Sequence, residues 1–254
     1  MTVNPLFLIT GAGMIAVGVT SVVFWKVRQK VPLSIFVWGA LVWVVGVAAK
    51  SAVSVPSQSL IGIVRNTFPT SVAEPLLWTY AGLLTGIFEC GATVVFVRMK
   101  RFRKLSWDDS VGFGLGFGAI EAILLGIVSF VVILLVILIP DKLPSKLVEQ
   151  TISGTQSIFV IPAGIVERII AIFVHAFSCV LIIYAVREGE WRWFWLSFFY
   201  KSVIDGIAGY VHLTHDIENL TTSELWLLEL GLLPFGLVGL WGLWIFRTRW
   251  KDLA

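Results

Sequence analysis

Eight ionisable side chains stand inside long apolar runs of this chain: Lys50, Glu89, Glu121, Glu167, Arg168, His175, Lys201 and Asp205. A charge at the centre of a bilayer costs about 2.5–3.5 kcal/mol on insertion scales, so such residues have partners or a chemical task. Their depths coincide. At a helical rise of about 1.5 Å per residue, Glu89 lies roughly 14 Å from the basic edge at Arg98, and Glu121 roughly 16 Å from the start of its run. On the same scale His175 is roughly 18 Å from Arg187, Lys201 roughly 14 Å from its own edge, and Asp205 one turn deeper. Four helices would therefore carry carboxylates, an imidazole and an ammonium into one layer near mid-membrane. Such a set is the material of a shared acid–base site, or of separate structural bridges. Lys201 and Asp205, for example, are i, i+4 on one helix face, and a single His175 fits a satisfied core histidine. Lys50, Glu167 and Arg168 fall in a second layer nearer the opposite face, where ion pairing or snorkelling accounts for them.

The segment that must position Glu121 reads GFGLGFGAIEA over 112–122. Its glycines lack the G-x-G-x-x-G spacing and preceding strand of a dinucleotide fingerprint. They form two G-x-x-x-G pairs, Gly112/Gly116 and Gly114/Gly118, which in lipid let helix backbones approach closely. Gly114, Gly118 and Glu121 share roughly one face. The glycines would pack against a neighbouring helix and Glu121 would point into the bundle.

The composition supports this setting. Of 254 residues, 57% are hydrophobic and 14% charged, against about 25% charged in soluble domains. The net charge of +3 is no nucleic-acid signal, because the basic residues lie in short connections. Cys90 and Cys179 sit in apolar runs and form no metal or disulfide motif. The first residues lack a basic n-region and a cleavage site, so they read as a spanning helix rather than a cleaved signal.

Length and hydropathy predict an all-α polytopic bundle of about seven spans, near 5–25, 31–53, 74–98, 110–139, 158–186, 192–213 and 225–246. It is read as a single integral membrane domain over 1–254. The polar connections 54–73 and 140–157 are each expected to hold a short interfacial helix. Lys and Arg cluster after spans one and three, around the fifth connection and at the end of the chain, Arg101 and Arg103 among them. The positive-inside rule then places the N-terminus outside and the C-terminus in the cytosol. Asn219 opens a sequon on the predicted outer side. The tryptophans, including Trp191, Trp193, Trp195, Trp241, Trp244 and Trp250, fit an interfacial belt.

Three stretches carry a family resemblance: YAGLLTGIFECGATVVFVRMKRF (80–102) with DDSVGFGLGFGAIEAILLGI (108–127), VERIIAIFVHAFSCVLIIYAVR (166–187), and more weakly KSVIDGIAGY (201–210). Together they resemble the YhfC-type family of glutamic intramembrane proteases, distant relatives of the prenyl-protein (CAAX) endopeptidases. By that resemblance Glu89, Glu121, His175 and Asp205 carry over. Three positions depart from it. The usual Glu-Glu pair is Glu89-Cys90, without an arginine one turn on. The histidine of the glycine run is Phe117, and the one before the aspartate is Lys201.

The resemblance implies hydrolysis of a peptide bond in or near the bilayer. Glu121 would be the general base toward water, with Glu89 sharing or orienting that water. His175 would donate to the developing oxyanion, assisted by Lys201. Glu89, Glu121 and His175 could also supply the three ligands of a catalytic metal, but the lack of a second histidine in the layer argues against zinc. The rival reading is a degenerate scaffold of the same fold that binds lipid, an isoprenoid or a partner's transmembrane helix, and the three departures favour it. The expected partners are the lipid bilayer and a membrane-protein substrate or partner helix, with no nucleic acid. A transporter would also bury carboxylates, but no inverted repeat is evident.

Overall fold

The computed structural model describes residues 3–100, 102, 104–155, 157–214 and 220–251, and every regular element among them is helical. In chain order these are α1 (Leu8–Gln29), α2 (Leu33–Ser54), α3 (Gln58–Thr67), α4 (Thr70–Thr85), α5 (Gly91–Val97), α6 (Trp107–Leu138), α7 (Ser145–Gly154), α8 (Ile161–Glu188), α9 (Trp191–Thr214) and α10 (Thr222–Lys251). A π-helical turn, Gly86–Cys90, joins α4 to α5 as one continuous rod. The short helices α3 and α7 fill the two polar connections as expected. Asn219, Arg101 and Arg103 lie outside the described residues.

Six helices among the described residues are long and apolar enough to cross a membrane. They correspond to six of the seven expected spans. The other, α9, is 24 residues long but carries Arg192, Lys201 and Asp205 and is not in that set. Large apolar side chains stand exposed on the outer helices, Val23, Phe24 and Val27 on α1 and Leu227, Leu230 and Leu237 on α10 among them. A bilayer accepts such a surface because all backbone polar groups are satisfied within the helices. Trp191, Trp195, Trp241 and Trp244 are exposed as a belt requires, whereas Trp250 is buried and packs its ring on Tyr184 and Trp107.

Helix α8 occupies the centre. Every side chain from Val174 to Ala185 is buried, as befits a helix that is apolar all round. α6, α9, α10 and α1 surround it. α6 is likewise buried without a break from Ser110 to Ala119. Its glycines serve two neighbours rather than one. A Cβ on Gly114 would lie 2.6 Å from Ala176 Cα of α8, and one on Gly118 3.2 Å from Ile172 Cα and His175 Cβ. On the other side, a Cβ on Gly116 would lie 2.1 Å from the Phe36 carbonyl of α2. The two G-x-x-x-G pairs therefore seat α6 between α8 and α2, which delivers Glu121 to both. The start of α6 is fixed by Ser106, whose side chain accepts from the Asp109 N–H and donates to the Asp109 carboxylate, a cap of the usual kind.

Candidate functional site

Glu89 lies in the π-helical turn, a local widening that often marks functional positions. α2 runs close beside it: a Cβ on Gly46 would be 3.2 Å from Glu89 Cα. One turn further along α2, Lys50 Nζ reaches Glu89 Oε1 at 3.2 Å. Lys201 of α9 donates to the other oxygen, Oε2. The Glu89 and Lys201 side chains are 4% and 3% exposed, so this contact is dry.

Lys201 Nζ also stands 3.0 Å from His175 Nδ1. An ammonium can only donate, so Nδ1 accepts, and the proton of a neutral ring sits on Nε2. There it faces Glu121 Oε2 at 2.8 Å. The same oxygen accepts from the Trp43 indole at 2.9 Å, and Oε1 accepts from Arg168 at 2.6 Å. Arg168 continues to Glu167. At the other end Lys50 meets Asp205 at 3.5 Å, and Thr85 bridges the two by accepting from Lys50 and donating to Asp205. The result is one continuous polar chain: Asp205, Lys50, Glu89, Lys201, His175, Glu121, Arg168, Glu167.

Two sequence expectations are revised by this arrangement. The two depth layers are one network, because Lys50 and Arg168 are direct partners of Glu89 and Glu121. Lys201 and Asp205 close no bridge with each other, since each finds an opposite charge on another helix. The five candidate residues, Glu121, Glu89, His175, Asp205 and Lys201, do converge. So does one further departing position, Phe117. Phe117 stacks 5.2 Å from the His175 ring, and Lys201 Nζ lies 4.8 Å from the Phe117 ring centroid. Cys90 is apart from them, buried with its Sγ 3.8 Å from Ser197 Oγ.

A cavity of about 600 Å³ opens beside the chain. Lys50, Glu121, Arg168, His175, Lys201 and Asp205 give it a charged floor, and α10 contributes apolar wall through Leu232 and Phe235. Glu89 does not line it.

A family model described as YhfC intramembrane metalloprotease matches residues 13–227. The chain belongs to that family. With six apolar helices of spanning length, this YhfC-family chain is an integral multi-pass membrane protein. No curated protein and no solved structure matches it.

The family description implies a metal, whereas the resemblance read from the sequence implied glutamic chemistry. The donors present here do not fit an ion. A catalytic zinc takes three protein ligands and leaves one position open. Glu121 Oε2 and His175 Nε2 are bonded to each other, His175 Nδ1 faces an ammonium, and both Glu89 oxygens face ammonium groups. Among the described residues no three His, Cys, Asp or Glu side chains are grouped to share an ion. Lys50 and Lys201 already face Glu89, and Arg168 faces Glu121, so the two carboxylates that would hold an ion each have a counter-charge.

Sequence reading overlooked two members of the site and one buried carboxylate that lies outside the cavity lining. Trp43 and Thr85 carry no charge and gave no signal. Glu229 of α10 is 6% exposed with Oε2 unpartnered, as is Arg168 Nε. Glu229 was visible in principle, being a carboxylate within the last apolar run.

Proposed function

We propose that this chain uses the intramembrane-protease fold to bind a lipid-like amphiphile rather than to cut a peptide. The observation that carries the reading is the state of Glu121. A general base needs a lone pair aimed at water and a proton affinity to match, and Arg168, His175 and Trp43 fill three of the roughly four acceptor sites of this carboxylate and hold it in its charged, hydrogen-bonded state. Glu89 is clamped between Lys50 and Lys201 and does not line the cavity. The cavity, about 600 Å³, falls in the usual small-ligand range of about 300–1,000 Å³. Its charged floor and apolar wall match a molecule with one polar end and a hydrocarbon body. In this proposal α9 is the seventh span, with Lys201 and Asp205 turned inward, and the C-terminus is cytosolic.

Reconstituted protein should show no cleavage of membrane substrates that depends on Glu121, and native mass spectrometry should find a bound amphiphile. Leu232→Trp, which fills the cavity from its apolar wall, should strip that ligand several-fold. Proteolysis that Glu121→Gln abolishes in a protein that still folds would select the other reading. That second reading is favoured by Glu121, His175 and Lys201 all reaching the same cavity. In it, substrate draws Arg168 off Glu121. Glu121 then takes a proton from water, with Glu89 acting only through Lys50 and Lys201; the hydroxide attacks the peptide carbonyl while His175 and Lys201 donate to the oxyanion, and Glu121 returns the proton to the leaving amine. Asp205 would hold Lys50 in place.

A further inference from the structure

We infer that Lys201 is itself the cation of this centre, a tethered ammonium in the position a divalent ion would take. Three helices meet there. Phe117 comes from α6, His175 from α8 and Lys201 from α9, with Nζ 3.0 Å from His175 Nδ1 and 4.8 Å from the Phe117 ring centroid. Glu89 closes the remaining side by accepting from Nζ. The seat thus has an anion, an imidazole lone pair and an aromatic face, and a cation is what all three attract. A metal in this seat would have to displace the Lys201 ammonium, a charge of its own sign, and would meet a ring face rather than a donor atom at Phe117. The ammonium is part of the chain, so no chelator removes it. Having no vacant coordination position, it cannot bind and acidify water as a catalytic metal does. The inference concerns what fills the cation position and is independent of what the cavity holds.

Metal binding tests it directly. Elemental analysis of the purified wild-type protein should find no stoichiometric transition metal, and EDTA or Zn²⁺ should leave its Tm unchanged. Positions 117 and 201 both touch His175, so Phe117→His with Lys201→His would gather three imidazoles beside Glu89. That double variant should bind one Co²⁺ per chain with the visible bands of a tetrahedral site, and Zn²⁺ should raise its Tm. If it folds only when metal is added, recovery of a monodisperse peak with Zn²⁺ gives the same answer. Phe117→His alone keeps the ammonium and should bind no metal. Stoichiometric metal in the wild type, Co²⁺ bound by the single variant, or a double variant that neither binds Co²⁺ nor is recovered by Zn²⁺ would each overturn the inference.

Discussion

Gly116→Leu will keep the chain from reaching a stable folded state. The crossing of α2 and α6 is reciprocal: a Cβ on Gly116 would sit 2.1 Å from the Phe36 carbonyl oxygen, and one on Gly39 1.9 Å from that of Phe113. Both obstacles are backbone atoms, so no rotamer change relieves them. Overpacking ordinarily costs about 1–3 kcal/mol when side chains can yield; here two helices must separate, and the penalty should exceed that range. Close packing is also what holds helices together in lipid, where the hydrophobic effect between them is absent. The consequence extends to the site, since α2 carries both Trp43 and Lys50. Size-exclusion chromatography in detergent should show Gly116→Leu as aggregated or absent. Gly62→Ala, introduced where nothing lies within 4 Å, should behave as wild type. A Gly116→Leu protein as monodisperse and heat-stable as Gly62→Ala would mean that the two helices do not cross at these glycines.

That crossing shows which features of the chain could be read in advance. Glycine at every second position implies close approach whatever the partner, so the role of 112–118 was legible. The number of partners was not: Gly112/Gly116 and Gly114/Gly118 lie on different faces, and α2 and α8 each take one. Helix positions followed from hydropathy, including the short α3 and α7 in the polar connections. The common depth of Glu89, Glu121, His175 and Lys201 was legible, because rise per residue is nearly constant.

Pairing within that layer was not legible, for physical reasons. Depth along an axis says nothing about which way a side chain points. The Cα of Lys50 lies in the outer layer, yet its long stem carries the ammonium to Glu89 and Asp205. Arg168 reaches Glu121 in the same way. The i, i+4 rule allows a Lys201–Asp205 bridge because it sees only one helix. In the folded chain Lys201 meets the buried Glu89 and His175, and Asp205 turns to Thr85 and Lys50. The π-helical turn at Gly86–Cys90 adds a further shift that no periodicity in the sequence announces. Phe117 and Lys201 stood out as two unrelated departures. Only the folded chain brings the Lys201 ammonium over the Phe117 ring beside His175.

Lys201→Met should destabilise the protein by about 3–5 kcal/mol, the cost of leaving one partner of a buried ion pair without its counter-charge. Methionine keeps most of the stem's volume, so the loss reports the ammonium rather than a cavity. Glu89 would retain only Lys50, which at 26% side-chain exposure is the wetter of its two partners. Glu89→Gln should also be costly, since it leaves two ammonium groups facing a neutral amide. Combining the two should cost clearly less than their sum, with a coupling energy at the upper end of the roughly 0.5–3 kcal/mol seen for residues in contact. Unfolding in mixed micelles, followed by tryptophan fluorescence, measures all four corners of the cycle. Arg65→Met provides the contrast. Arg65 pairs bidentately with Glu74 and also donates to the Leu213 carbonyl, but its side chain is 40% exposed, and a pair open to water is worth only about 0.2–1 kcal/mol. Were Lys201→Met as mild as Arg65→Met, water would have to reach Glu89 freely. The carboxylate would then be available to a substrate, and the case for a locked, non-hydrolytic centre would lose its physical basis.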